Sequence, residues 1–142
     1  MSTLFSKIID RQIPGRFVWE DEEVVAFLTI APLTDGHALV VPRREVADWL
    51  EADQPLLARV MEVAQTVGRA QQAAFGAKRV GVLIEGYEVP HLHVHVWPTQ
   101  SAADFEVHNV DHNPDPKALD AHAETLRAAL RGAGHGASVP PA

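Results

Sequence analysis

Short apolar segments bounded by turn residues recur along the first hundred positions of the chain. Each is only a few residues long and has Gly, Pro or acidic residues at its ends, which is typical of strands rather than helices. The connections between the first three segments are short, which favours antiparallel neighbours. The pattern predicts about five strands, at residues 16–20, 24–30, 37–41, 80–85 and 91–97.

Three other stretches show helical periodicity. Residues 4–11 and 55–75 place apolar side chains three and four positions apart, and Asp53 and Gly76 suit the two ends of the longer helix. Residues 118–131 predict a helix near the C-terminus. The order of elements predicts an α+β fold, in which an antiparallel sheet of about five strands carries one long and one short helix and the C-terminal helix is appended.

Length and composition narrow the class of protein. The 142 residues suit a single domain, expected at residues 1–131, and a disordered tail rich in Gly, Ala and Pro is expected at residues 132–142. The net charge of −7 argues against a general nucleic-acid-binding surface. Since the chain has neither a membrane-length apolar run nor an apolar secretory signal, we expect a cytoplasmic protein. The lack of cysteine excludes disulfides, thiol nucleophiles and cysteine-based metal sites.

Three of the eight histidines occupy alternate positions in one predicted strand. Alternate side chains of a strand share a face, so His91, His93 and His95 are expected on one side, opposite the apolar residues between them. Such a row offers a nucleophilic nitrogen, a proton donor and hydrogen bonds to anionic oxygens, which suits phosphate chemistry. Two alternatives remain at this point: a metal site that includes His37 from another strand, and a polar sheet surface without catalytic function.

The segment His91-Leu92-His93-Val94-His95-Val96-Trp97 resembles the signature of the histidine-triad (HIT) family, in which three histidines alternate with apolar residues. The likeness covers about residues 4–98, and Glu88-Val89-Pro90 before the triad is similar to a bacterial sub-branch. Further segments resemble the family in the same order: Phe5-Ser6-Lys7-Ile8-Ile9, Ile13-Pro14, Trp19-Glu20-Asp21, Ala26-Phe27 and Gly36-His37-Ala38-Leu39-Val40-Val41-Pro42.

The resemblance implies a HIT-like fold, a homodimer that shares its central sheet, and a role for each of four histidines. His93 corresponds to the nucleophile that forms a nucleotidyl-histidine intermediate. His95 would contact the phosphate and assist proton transfer to the leaving group. His91 would orient His93, and His37 would position the site from the adjacent strand.

The resemblance also implies a binding cleft for a purine nucleotide. Thr29 stands where relatives carry an acidic residue for the ribose hydroxyls, and Ile84 stands where they carry an asparagine. The segment before the triad, including Val89, would offer backbone N–H groups to the phosphate. Thr3 and Ser6 replace two cysteines that hold zinc in many relatives, so we expect no metal there. The apolar cleft residues would be Phe5, Ile8, Ile13, Phe27 and Ile30.

Together these features predict an enzyme that hydrolyses or transfers at a nucleotide α-phosphate, without a cofactor or metal. The implied substrates are adenosine phosphoramidates, aminoacyl adenylates or dinucleoside polyphosphates. One alternative is a nucleotide-binding regulatory protein with little turnover, and another is a hydrolase whose histidines bind a metal ion. No nucleic acid or membrane is expected as a partner.

Overall fold

The computed structural model describes residues 2–141. The chain forms the predicted α+β architecture, with a five-stranded antiparallel sheet, one short and one long helix, and a C-terminal helix. The elements in chain order are α1 (Leu4–Ile9), β1 (Phe17–Glu20), β2 (Val24–Leu28), β3 (Ala38–Pro42), α2 (Gln54–Phe75), β4 (Arg79–Leu83), β5 (Val94–Thr99) and α3 (Pro116–Leu130).

The strands are arranged in the order β1-β2-β3-β5-β4, so the last strand of the chain lies inside the sheet and β4 lies at an edge. His95 of β5 pairs with Leu39 of β3 on one side and with Leu83 of β4 on the other. Directly opposed residues of neighbouring strands point to the same face of a sheet. The His95 side chain therefore lies on the same face as Leu39.

Each face of the sheet carries its own apolar core. Alternate residues of β2 and β3, such as Ala26 and Val40, pack with α2 and α3 in the larger cluster. The intervening residues, such as Phe27 and Leu39, pack with Phe5 and its neighbours in the smaller cluster. The face that carries the smaller cluster is opposite the one packed by α2 and α3, and His95 lies on it beside Leu39.

Local signals explain why the long helix begins and ends where it does. The Asp53 side chain accepts a hydrogen bond from the backbone N–H of Leu56 (2.9 Å), and Pro55 lies in the first turn. At the other end Gly76 has φ = 65°, the left-handed conformation that glycine adopts without steric cost. Within residues 2–141, no helix has both the length and the apolarity that crossing a membrane requires.

The structure corrects the predicted bounds of the histidine strand. β5 begins at Val94 and runs through Thr99, so His91 and His93 precede it. A loop holds this preceding segment: the N–H of His91 donates to the Val89 carbonyl (2.8 Å), and that of Leu92 donates to the Val46 carbonyl (2.7 Å). Side chains continue to alternate between the two sides of the backbone before Val94, because these loop hydrogen bonds hold the segment in place of strand pairing.

The segment 132–142, for which composition predicts a disordered tail, forms turns over its described part, and Ala142 lies outside the described residues. Short helical turns continue from α3 through Ser138, and Gly134 turns the chain with φ = 95°. The His135 ring lies 5.6 Å from the Trp19 ring, and Val139 packs against the larger core. Apolar and aromatic contacts thus hold a segment whose composition suggested disorder.

Candidate active site

The three histidines of the triad lie on the α1 side of the sheet. Leu92, Val94 and Val96 are at most 1% exposed and belong to the larger core on the opposite side. The ring centroids of His93 and His95 are 5.2 Å apart, and the Phe5 ring of α1 lies edge-on to His93 at 4.7 Å. The predicted division of this segment into a histidine face and an apolar face is therefore present.

The hydrogen bonds of His91 define where its ring proton lies. Nε2 is 2.7 Å from the backbone carbonyl of Pro42, and a carbonyl oxygen only accepts hydrogen bonds, so Nε2–H is the donor. Burial is the largest cause that lowers the pKa of His91, which favours the neutral ring. Nδ1 then carries a lone pair, and the Thr3 hydroxyl, 2.7 Å away, donates to it.

The same reasoning assigns the proton of His93. Its Nδ1 lies 2.7 Å from the backbone carbonyl of His91, so Nδ1–H donates. Burial is again the largest cause of a lowered pKa, although the His91 carbonyl and the charges of Glu85 and Glu88 act in the opposite direction. In the neutral ring, Nε2 of His93 carries the lone pair, which is the form a nucleophile needs.

A second chain of hydrogen bonds runs from the loop before β3 to β5. The backbone N–H of Leu33 donates to Nδ1 of His37 (3.0 Å), so the neutral His37 ring carries its proton on Nε2. Nε2 of His37 lies 3.0 Å from Nδ1 of His95 and donates to it. His95 therefore accepts at Nδ1 and carries its own proton on Nε2, from which the neutral ring donates a hydrogen bond.

Burial keeps the second pair of histidines uncharged. The pKa of His37 is lowered to about 3, chiefly by burial and further by His95. The pKa of His95 is lowered to about 4, again chiefly by burial and further by His93. Near neutral pH both rings are therefore neutral. His37 donates from Nε2, and His95 accepts at Nδ1.

Helix α2 holds the two segments that carry this pair. The buried side chain of Gln71 donates from Nε2 to the carbonyls of Gly36 (2.9 Å) and Val96 (2.8 Å). These carbonyls adjoin His37 and His95 in the chain. Sequence reasoning missed Gln71, whose only signal was a polar residue on the apolar face of a long helix.

The predicted cleft residues divide into two groups. Phe5, Ile8 and Phe27 are buried members of the smaller core, and Ile13 and Val89 pack against it. The side chain of Ile30, in contrast, is 74% exposed. The Thr29 N–H donates to the His37 carbonyl (3.2 Å), and its hydroxyl accepts from the N–H of Ala31 (3.1 Å). The site thus has an apolar floor beside His93, and its rim includes the exposed Ile30 in the loop between β2 and β3.

Acidic and histidine side chains do not gather around a common centre in residues 2–141: no three of them are grouped so that they could hold a metal ion. The ring nitrogens of His91 and His37 are taken up by protein hydrogen bonds. The residues present therefore suit hydrogen bonding and proton transfer more than metal coordination.

Comparison with known proteins relates the chain to one family of sequences and structures. The model of the HIT domain family matches residues 10–102. An uncharacterised HIT-like protein of Borreliella burgdorferi is 36% identical over 102 residues, which are 67% of this chain and 73% of the relative.

Solved structures agree with the sequence matches. A zinc-bound histidine triad family protein of Mycobacterium smegmatis superposes with a TM-score of 0.81 at 27% identity, covering 96% of this chain and 98% of that one. A hypothetical histidine triad nucleotide-binding protein of Sulfolobus tokodaii gives a TM-score of 0.77 at 28% identity, covering 90% and 91%. On sequence, fold and the arrangement of its histidines, the chain belongs to the HIT family.

Proposed function

We propose that the protein hydrolyses or transfers at the α-phosphate of a purine nucleotide, with His93 as the nucleophile. The observation that carries this proposal is the hydrogen bond from Nδ1–H of His93 to the His91 carbonyl, at 2.7 Å. It leaves the lone pair on Nε2, and the lowered pKa keeps that lone pair unprotonated near neutral pH. His91 orients His93, His95 assists the leaving group, and His37 orients His95.

In the first step, Nε2 of His93 attacks the α-phosphorus and forms a P–N bond. The bond from phosphorus to the leaving group breaks, and the leaving group takes the electron pair. Nε2–H of His95 donates a hydrogen bond to the leaving nitrogen or oxygen and stabilises the charge that builds there, and a leaving amine takes its proton from water. The His37 Nε2–H bond to Nδ1 of His95 (3.0 Å) keeps the His95 proton on Nε2, facing the substrate.

In the second step, water attacks phosphorus and the P–N bond to His93 breaks. The attacking water releases its proton to the solvent, which balances the proton taken up by the leaving group, and His95 stays neutral throughout. The product is a nucleoside monophosphate, and Nε2 of His93 regains its lone pair. An acceptor other than water would complete a transfer instead of a hydrolysis.

Substrates of three kinds suit this chemistry: adenosine phosphoramidates, aminoacyl adenylates and dinucleoside polyphosphates. The apolar floor beside His93, formed by Phe5, Ile8 and Phe27, offers a contact surface for the face of a base or ribose ring close to the nucleophile. Ile30 and Thr29 would contact the nucleoside from the rim, and Val89 from the loop before the triad.

The experiment is substitution of the nucleophile. We expect His93→Ala to lower kcat for release of AMP from an AMP phosphoramidate by at least about a thousandfold, because the covalent route is lost. AMP affinity should change by less than about tenfold, or about 1.4 kcal/mol. His108→Ala, an exposed histidine outside the triad, is the matched control.

Other outcomes of the same assay support different functions. Full activity in His93→Ala contradicts the nucleophile assignment. If no member of a phosphoramidate and dinucleotide panel is turned over while AMP binds, the protein is a nucleotide-binding regulator. Loss of activity in EDTA, followed by its recovery on addition of zinc, would identify a metal-dependent hydrolase.

We also propose that two copies associate through β4 and α2. β4 is an edge strand, and a groove of about 310 Å³ lies between it and α2. Met61 and Val82 at this groove are 37% and 49% exposed. An exposed apolar edge strand favours pairing with another chain. Light scattering should then give a mass of twice the chain's 15.5 kDa.

A further inference from the structure

Three polar residues connect the start of α1 to the first histidine of the triad. The backbone N–H of Ser6 donates to Oγ1 of Thr3 (3.0 Å), which caps the helix. The N–H of Thr3 donates to Oε1 of Glu45 (3.1 Å), and the Ser6 hydroxyl donates to the same oxygen. Thr3 then contacts Nδ1 of His91 at 2.7 Å. We call Thr3, Ser6, Glu45 and His91 the N-terminal cluster.

The donors and acceptors of this cluster allow one arrangement. Nε2–H of His91 donates to the Pro42 carbonyl, so Nδ1 of the neutral ring must accept. The Thr3 hydroxyl has one hydrogen, and His91 receives it. Thr3 accepts from the Ser6 N–H, and the Ser6 hydroxyl hydrogen is used on Glu45. The Thr3 hydroxyl proton therefore goes to His91, while the Thr3 N–H and the Ser6 hydroxyl proton go to Glu45.

The N-terminal cluster does not fit a zinc ion. Zinc prefers cysteine, histidine and carboxylate ligands, and Thr3 and Ser6 offer only neutral hydroxyls. Both ring nitrogens of His91 already have protein partners. Many relatives are expected to hold zinc with two cysteines at these positions. In this chain Thr3 and Ser6 stand there and make hydrogen bonds to His91 and Glu45.

We propose that Thr3 is a positioning residue for catalysis, whose hydroxyl fixes the ring and tautomer of His91 and through the His91 backbone the orientation of His93. Ser6 and Glu45 hold Thr3 in place. His91 is the link, because its ring is bound by Thr3 and Pro42 while its carbonyl accepts from Nδ1–H of His93. The inference rests on the proposed role of His93 as nucleophile.

Removing the hydroxyl leaves a buried acceptor unpaired. His91 is 0% exposed, so water does not replace the Thr3 hydroxyl at Nδ1 without a rearrangement. The ring can regain a partner only by turning or by moving its proton to Nδ1, and either change breaks the bond to Pro42. The segment that carries the His91 carbonyl then shifts, and His93 loses its fixed orientation.

The test is Thr3→Val, which keeps the side-chain shape but removes the hydroxyl. We expect kcat to fall about tenfold or more while KM changes less than about threefold, since the loss concerns the nucleophile and not substrate binding. Thr3→Ser restores both the cap and the donor, so its kcat should return to within about twofold of wild type.

Loss of the helix cap itself needs a separate control. Asp53→Ala removes the N-cap of α2, which is far along the chain from the triad, and its kcat should stay within about twofold of wild type. Thermal unfolding of all the variants shows that each is folded at the assay temperature. A kcat for Thr3→Val within about twofold of wild type overturns the inference.

A second measurement does not depend on turnover. Ring ¹⁵N chemical shifts of His91 should show Nε2 protonated in wild type and Thr3→Ser, and altered in Thr3→Val. The Nδ1 proton resonance of His93 should broaden or vanish in Thr3→Val. Unchanged ring shifts in Thr3→Val also overturn the inference. If wild type turns over no substrate but the shifts change as expected, the proposed function fails while the positioning of His91 by Thr3 stands.

Discussion

Acidification should destabilise the protein before its carboxylates begin to titrate, because the histidines of the site are buried in the neutral form. The pKa of His37 is lowered from 6.5 to about 3 and that of His95 to about 4, with burial as the first cause in each. Lowered histidine pKa values mean that the unfolded chain binds more protons at mildly acidic pH. Stability is therefore complete above the unfolded pKa and is lost as pH falls toward the folded pKa.

The magnitude follows from the two pKa values of each ring. From about pH 7 to about pH 5, each ring lowers the free energy of unfolding by about 2 kcal/mol, because the unfolded ring is mostly protonated at the lower pH and the folded ring is not. The pair together contributes about 4 kcal/mol. His91 and His93, whose pKa values are also lowered, act in the same direction. Asp21, with a lowered pKa of its own, contributes only at lower pH.

Urea unfolding followed by tryptophan fluorescence at fixed protein concentration measures this loss. His37→Gln removes one titrating ring but keeps an amide donor, so the loss between the two pH values should shrink by about 2 kcal/mol. His112→Gln, which replaces an exposed histidine, should leave the loss unchanged. A free energy of unfolding that stays within about 1 kcal/mol from about pH 7 to about pH 5 would refute the reasoning.

Two further predictions, each with a matched control substitution, concern packing and association. Gly36→Ala should cost at least about 2 kcal/mol in urea unfolding, because Gly36 has φ = +85° and a Cβ there would lie 2.4 Å from the Phe75 ring. Gly76→Ala, with φ = +65° and open space around the added Cβ, should cost only about 1 kcal/mol, and equal costs would contradict this explanation. Val82→Glu should shift the light-scattering mass toward the monomer, while Val107→Glu, at an exposed site outside the groove, should not; a dimer that survives Val82→Glu would place the interface elsewhere.

Local periodicity was sufficient to predict most of the fold and the orientation of the triad. The alternation of His91, His93 and His95 with apolar residues predicted two faces, and the burial of Leu92, Val94 and Val96 confirms them. The helices were found because Leu, Val and Ala recur at helical spacing. Such signals lie within a few residues of one another, which is the range a sequence pattern covers.

Contacts between distant positions could not be predicted in this way. Thr3 and His91 are 88 residues apart, and His37 and His95 are 58 apart. Their hydrogen bonds depend on the sheet order and on how α1 packs, and neither leaves a periodic trace. In the structure Thr3 caps α1 by accepting from the Ser6 N–H, and this local role gives no indication of the histidine that Thr3 contacts.

The end of the chain shows the limit of composition as a guide to order. Residues 132–142 are rich in Gly and Ala, yet Arg131 donates to the Pro140 carbonyl (3.2 Å) and Val139 packs against the larger core. A few well-placed apolar residues were enough to hold the segment. Composition averages over the residues and so misses the contribution of single contacts.

Through the two hydrogen bonds of Gln71, helix α2 connects two regions of the molecule. One side of the helix holds the Gly36 and Val96 carbonyls, and another side, with Met61 and Gly68, borders the groove beside β4. A displacement of α2 would move both carbonyls and change the spacing of His37 and His95. If two copies associate at this groove as proposed, association and binding at the histidine site would be linked, and each would change the other by the same factor.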